Sequence, residues 1–295
     1  MPRSLEDFLT QELKRTGYPL QIEIASALEK TYLVENNAYY FDSDEHKARE
    51  IDIDAMTLDR DFEKKEIKPF AVVNKLPIEC KRSETYAWIF LTQQREKIPW
   101  LQGQVMDFMQ IASRDLLFSF IDMIKGELGL CLHYDQFRRM ANTYAEIKYE
   151  KGSESKKSEI FEAKNQLAKF VSYDISQLLR RIENRGTDPA KNYLTWFYHP
   201  TIVFDGKLYE AICENASVRL FERKHILLSA THSPIYLKDF QNTEPSDLQY
   251  IIDVVRKDFF TDFIKILENE YSSLWNCVYD NIEELKEKAR ELVAE

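Results

Sequence analysis

Two carboxylates and a lysine are spaced so that they could act together on a phosphate ester. Asp52 lies in the run Arg-Glu-Ile-Asp-Ile-Asp-Ala (49–55), and Glu79 and Lys81 lie in Leu-Pro-Ile-Glu-Cys-Lys (76–81). Both runs alternate apolar and polar residues, the period of a β-strand, in which successive side chains face opposite ways. On that pattern Ile51 and Ile53 share one face and Asp52 and Asp54 the other. Likewise Ile78 and Cys80 oppose Glu79 and Lys81. If the two strands pair, Asp52 and Glu79 sit close on rigid backbone. Mg²⁺ suits such a pair, because it takes oxygen ligands and keeps several waters. The Lys81 ammonium is spaced to orient an attacking water and to counter charge developing at phosphorus.

The triplet acidic–any–lysine means little alone, and it recurs at Glu12, Glu45, Glu63, Glu146 and Glu222, among other places. Glu79 differs in standing at the end of an apolar strand, preceded by Asp52 in a second alternating run. The bland alternative is a solvated sheet face on which Glu79 and Lys81 are merely paired. Asp54 reads as a solvated strand end or as an accessory for a second metal. Arg49 and Arg82 read as surface charges, with phosphate contact as their functional alternative. His46 belongs to a turn, and His199 and His225 lie next to strands, where a core or surface role is expected. Tyr86, Trp88 and Phe90 alternate; packing in the core is expected, and stacking on bases is the alternative.

The elements that must position these residues follow from periodicity. Residues 4–16 read as an amphipathic helix with Ser4 as N-cap. Pro19 to Lys30 reads as a second helix, with Leu20, Ile24 and Leu28 on one face. Three strands are expected at 32–41, 48–58 and 69–81, and Pro77 implies a bulge or an edge in the third. Residues 101–125 and 156–184 look helical, the latter with Ile160, Ala163, Leu167, Phe170, Val171, Ile175, Leu178 and Leu179 on one side. Asp205–Gly206 reads as a hairpin turn within 201–212. Strands are expected at 225–237 and 248–255. A helix carrying Phe259, Phe260, Phe263, Ile266 and Leu267 follows, then a charged helical tail. The expectation is one domain over 1–295, with a helical insertion at about 95–157 and a charged C-terminal helix at about 280–295; the one candidate boundary is 145–157.

Composition narrows the function classes. With 295 residues, 44% hydrophobic and 13% aromatic, the chain can bury a substantial core. Its 7 glycines include no glycine-rich phosphate loop. No apolar run approaches the roughly 20 residues that span a bilayer, and the N-terminus does not read as a signal peptide. Cys80, Cys131, Cys213 and Cys277 are far apart and read as buried, reduced thiols of a cytoplasmic protein. The five histidines form no ligand pair by spacing, so a zinc enzyme is not expected. A net charge of −10 has the wrong sign for tight binding of long duplex, though local basic patches can act within an acidic whole.

Residues 19–92, namely a helix, Ala-Tyr-Tyr-Phe-Asp (38–42), Arg-Glu-Ile-Asp-Ile-Asp-Ala, Pro-Ile-Glu-Cys-Lys-Arg-Ser and the aromatic-rich Tyr-Ala-Trp-Ile-Phe (86–90), resemble the PD-(D/E)xK, or restriction-endonuclease-like, nuclease superfamily. The likeness extends more weakly to residues 201–212 and 251–260. It implies an α/β fold, a restriction-endonuclease-like core of mixed β-sheet flanked by helices, with helical insertions. It also implies an enzyme that hydrolyses nucleic-acid phosphodiesters, DNA above all, through a water activated by Mg²⁺, with Mn²⁺ substituting. A role in restriction or host defence would suit it. Asp52 and Glu79 would then be metal ligands and Lys81 the catalytic lysine. Many members place a glutamate early in the first core helix; here Gln21 stands in that place, with Glu23 on a different helical face. Either the glutamine is a weaker neutral ligand, or the helix register is shifted, or the site is partly degraded. The alternative function is therefore a catalytically weak relative serving as a binding or regulatory subunit. A homodimer or a partner protein would be compatible with either function, and no membrane partner is expected.

Overall fold

The computed structural model describes residues 4–57, 70–95, 105–107, 132–149, 158–185, 193–232 and 248–280. Helix α1 (Leu5–Arg15) is capped by Ser4, whose hydroxyl accepts from the Asp7 N–H while the Asp7 carboxylate accepts from the Ser4 N–H. Helix α2 (Tyr18–Leu28) has Pro19 in its first turn and buries Leu20, Gln21, Ile24 and Leu28. The chain then enters a meander of β1 (Tyr32–Asp42), β2 (Lys47–Thr57) and β3 (Phe70–Gln94). Residues 58–69 between β2 and β3 lie outside the description.

β3 is the longest strand, and it runs well past the expected end at Lys81. The alternation of Tyr86, Trp88 and Phe90 belongs to this same strand. Trp88 and Phe90 are fully buried, so the expected core packing holds for them. Along its length β3 changes neighbours. It pairs antiparallel with β2 and then with β5 (Arg139–Lys148); on its other side it pairs parallel with β6 (Tyr193–Tyr198) and then with β7 (Thr201–Glu214). Pro77 falls between Lys75, the last partner of β6, and Ile78, the first partner of β7. A residue with no donor is accommodated at that handover.

The expected helical insertion is corrected in its described parts. Val105–Asp107 is a short strand, β4, paired with β6, and Arg139–Lys148 is the inner strand β5 between β3 and β9 (His225–His232). Between β4 and β5 the description includes one short helix, α3 (His133–Gln136). Pairing with β3 and β9 makes β5 a strand, although its fully buried residues Met140 and Ala141 are adjacent and a register shift at Leu91/Thr92 of β3 breaks any alternation along it.

The Asp205–Gly206 hairpin is also corrected: β7 runs straight through it, and the turn to β8 (Ser217–Glu222) is at Asn215–Ala216. Both turn residues have positive φ, 50° and 60°, the geometry of a two-residue hairpin whose twist matches its strands. Gly206 serves a close approach instead. A Cβ there would meet the Phe204 ring and would lie 2.9 Å from the Ser83 carbonyl oxygen.

Strand β10 (Leu248–Arg256) pairs antiparallel with β9 and parallel with β7. The ten described strands thus form one mixed sheet, and its pairings run β3–β5–β9–β10–β7 and back to β3. Helix α4 (Glu159–Arg185) precedes β6 and β7, and α5 (Phe260–Asp280) follows β10. Ile160, Ala163, Leu167, Phe170, Val171 and Ile175 of α4 pack with Tyr40, Ile51, Trp88, Phe204 and Tyr250. The side chains of Leu178 and Leu179 lie outside the description. A second core joins Leu20, Ile24 and Leu28 of α2 to Phe260, Phe263 and Leu267 of α5 across Ile53, Leu76, Ile78 and Cys80. The molecule is therefore α/β, a many-stranded mixed sheet flanked by helices. No helix among the described residues is long and apolar enough to cross a membrane. The charged tail from residue 281 lies outside the description, as do residues 150–157 of the expected boundary stretch 145–157, whose residues 145–148 belong to β5.

Candidate functional site

The site forms where β2 and β3 part. Their ladder runs from Met56↔Lys75 to Ile53↔Ile78 and stops there. One residue further on, Asp52 and Glu79 would be the next pair. The Asp52 side chain instead takes over the ladder's function, its Oδ2 accepting the backbone N–H of Cys80 at 2.7 Å. The β1–β2 ladder is likewise interrupted beside Asp52. Asn36↔Ile53 and Ala38↔Ile51 pair, while Asn37 between them has a positive φ of 52°. Gln21 of α2 fills the gap. Its Nε2 donates to the Asp52 carbonyl oxygen at 2.6 Å and to Asn37 Oδ1 at 2.9 Å. The helix thus holds open the point at which the strands diverge. This local break also corrects one expectation: Ile51 packs in the α4 core and Ile53 in the α2–α5 core, so they do not share one cluster.

Glu79 and Lys81 project together, as strand alternation requires, and Lys81 Nζ lies 2.6 Å from Glu79 Oε2. Glu79 is 1% exposed, and its other oxygen, Oε1, is buried with no hydrogen-bond partner. A buried carboxylate oxygen left this way is costly, because its hydration has been removed without replacement. Burial pushes the Glu79 carboxyl up to about 7, helped by the charge of Asp52 and opposed by Lys81 and by the backbone N–H of Asp52. Burial also raises Asp52, opposed by Lys81 and by the Cys80 N–H. At Lys81 burial acts the other way, but the two carboxylates outweigh it and hold the ammonium protonated well above its usual range. Burial raises the Cys80 thiol, helped by Asp52 and Glu79, so this cysteine is not a thiolate nucleophile.

The remaining sequence candidates are placed less centrally. Asp54 is ion-paired with Lys75 at 2.9 Å, and Lys75 also reaches Asp174 of α4 at 3.2 Å. Burial pushes Asp54 up to about 6, against Lys75. Glu23 is exposed and pairs with Lys257 at 2.7 Å, so the structure does not bring it to Asp52. Arg49 is spent on Asp42 at 2.7 Å and on Glu45. Arg82 pairs with Glu84 at 2.7 Å and approaches Asp205 at 3.6 Å. His46 is an exposed turn residue with φ 51°. Cys213 is exposed, which corrects the expectation of a buried thiol, while Cys80 is buried as expected.

The donors fit a hard divalent cation. Glu79 Oε1 is uncommitted, Asp52 uses only Oδ2 in its hydrogen bond to Cys80, and the Gln21 amide keeps its Oε1 outside its two bonds. All three are oxygen donors, as Mg²⁺ or Mn²⁺ prefers.

Spacing alone missed a second cluster. His133, His199 and His225, far apart in sequence, meet around Asp253 of β10. No signal in the sequence joins them, because each comes from a different element and the sheet's long-range pairings bring them together. The chain matches no family model, no curated protein and no solved structure.

Proposed function

We propose that this chain is a Mg²⁺-dependent hydrolase of nucleic-acid phosphodiesters, of the restriction-endonuclease-like type, with DNA as the first substrate class to test. The observation that carries the reading is the buried, unpartnered Oε1 of Glu79 beside Asp52 and Lys81. A solvated, merely paired sheet face would not leave a carboxylate oxygen dry and unused. The chain order α2–β1–β2–β3–α4–β7, with β7 parallel to β3, supports a mixed-sheet core in which both carboxylates stand on inner strands.

Asp52 and Glu79 would hold the cation, with Gln21 fixing the backbone on which Asp52 stands. A bound Mg²⁺ supplies Lewis acidity and a more acidic water at the phosphate. Lys81 remains an ammonium, so its role is to hold positive charge toward the phosphate and to orient a water, not to remove a proton. Burial of the site keeps that charge in a low-dielectric setting, where it acts more strongly than in water.

A second reading, a catalytically weak binding or regulatory subunit, is favoured by one observation. Gln21 occupies the helical position with a neutral amide whose two hydrogens are both committed to strand backbone and Asn37. Cleavage of duplex, single-stranded and modified DNA and of RNA by the purified chain with Mg²⁺ or Mn²⁺, beside Lys81→Ala, tests the hydrolase. Calorimetric titration of Mn²⁺ into a chain that cuts nothing separates an intact site from a dead one.

A further inference from the structure

We propose a second, chemically distinct metal site, in which His133, His225 and Asp253 bind a transition-metal ion, Zn²⁺ by ligand preference, with Glu270 orienting His133. The three ligand atoms come from α3, β9 and β10, and all lie within 4.8 Å of one another. Asp253 Oδ1 is 3.1 Å from His133 Nε2 and 2.8 Å from His225 Nε2. Four-coordinate zinc with bonds of about 2.0–2.1 Å separates its ligands by roughly 3.3 Å. The two carboxylate–imidazole separations are already near that value, and the two imidazole nitrogens, within 4.8 Å of each other, must close by at most about 1.5 Å, a movement within reach of side-chain rotation. Two imidazoles and a carboxylate are a nitrogen-rich set that suits zinc and disfavours Mg²⁺.

The surroundings resemble those of metal-bound histidines generally. His133 Nδ1 faces Glu270 at 3.0 and 3.1 Å, and Glu270 also accepts the His133 backbone N–H. A carboxylate on the far ring nitrogen fixes which nitrogen is left for the metal and strengthens it as a donor. Tyr134 donates to Asp253 Oδ2 at 3.2 Å and lies 3.0 Å from His199 Nδ1, anchoring the second carboxylate oxygen. Phe137 and Phe263 close over the His225 ring, at 4.8 and 5.2 Å between centroids. His133 and Asp253 are buried, whereas the side chains of His225 and Glu270 keep about 10% exposure each, which leaves an approach for an ion. Binding displaces both protons that the two imidazole Nε2 atoms now direct at Asp253 Oδ1: that of His133, whose Nδ1 keeps its proton toward Glu270, leaves to solvent, and that of His225 leaves or passes to its own Nδ1.

The rival is a metal-free cluster of ion pairs that only fastens α3 and α5 to the sheet. The test uses the full chain, stripped with chelator, dialysed against micromolar Zn²⁺ and measured for bound metal. Thermal melts and the visible spectrum of the Co²⁺-loaded form are recorded alongside. The proposal predicts one Zn²⁺ per chain, a raised melting temperature and a Co²⁺ spectrum of a four-coordinate site. Asp52→Asn should retain all three, so failure of the Mg²⁺ reading leaves this result untouched. His225→Gln at the rim should lose the metal while its near-ultraviolet circular dichroism shows a folded chain. Should that variant fail to fold, Glu270→Gln is expected to weaken zinc at least tenfold. No retained zinc in the wild type, or wild-type retention in a folded His225→Gln or Glu270→Gln, overturns the proposal.

Discussion

Asp52 Oδ2 accepts the Cys80 N–H at 2.7 Å at the position where the β2–β3 ladder has just ended, so one side chain both terminates a strand pairing and stands beside Glu79. Asp52 therefore has two separable functions. Asp52→Ala leaves the buried Cys80 N–H without an acceptor and should cost about 1–3 kcal/mol of stability. Asp52→Asn keeps an oxygen for that N–H while removing the charge. Denaturant unfolding should find Asn close to wild type and Ala clearly weaker, while both lose metal-dependent activity. Equal stability of the two variants would contradict the latch.

Glu79 makes stability depend on pH in a calculable direction. Its carboxyl is pushed up to about 7 in the folded chain from an ordinary value of 4.5. Between those values the folded state holds a proton that the unfolded state has released. Stability therefore falls as pH rises from about 4.5 to 7 and levels off above it. The full effect is on the order of 3 kcal/mol, as two and a half units imply. Thermal melts of the metal-free protein should show this decline, and Glu79→Gln should make it shallower, leaving the part that Asp52 and Asp54, also raised by burial, contribute at lower pH. A variant with the same pH slope as wild type would contradict the shift.

Gln21 tests whether the helical position is a degraded ligand or a working strut. Its Nε2 donates to two acceptors, the Asp52 carbonyl and Asn37 Oδ1. Gln21→Glu would turn a carboxylate toward both and bury a charge without a donor. The account expects a loss of about 2 kcal/mol or more, and no gain in Mn²⁺ affinity. Tighter Mn²⁺ binding in a stable variant would instead support a site that has lost a ligand.

Gly206 separates two meanings of one residue. Within Asp205–Gly206 it looks like a turn glycine, yet it lies in β7 facing the Ser83 carbonyl and the Phe204 ring. That ring is stacked on Trp88 at 3.9 Å, so it yields only by disturbing that stack. Gly206→Ala should therefore cost roughly 1–3 kcal/mol, as overpacking does. An unchanged melting temperature would show that the strand can shift.

These cases also mark what the sequence could disclose. Asp52, Glu79 and Lys81 were legible because alternation along a strand is local and fixes which side chains project together. The helical faces of α2, α4 and α5 were legible for the same reason. The split of Ile51 and Ile53 between two cores was not, since it depends on Gln21 entering between β1 and β2 from another element. Strand β5 was hidden because its fully buried residues, Met140 and Ala141, are adjacent and no period of two runs through it. The His133–His225–Asp253 cluster was hidden because its members are 28 to 120 residues apart and meet only through sheet pairing.

The central claim is that Asp52, Glu79 and Lys81 form a cation-dependent hydrolytic site. Its most direct test is the cleavage rate of the nucleic-acid panel with Mg²⁺, with Mn²⁺ and with chelator, for wild type, Glu79→Gln and Lys81→Met. The account predicts cleavage by wild type that chelator abolishes. Glu79→Gln should be inactive, and Lys81→Met should fall about 10²–10³-fold while still binding Mn²⁺. Cleavage that persists in chelator, or at the wild-type rate in either folded variant, would contradict it.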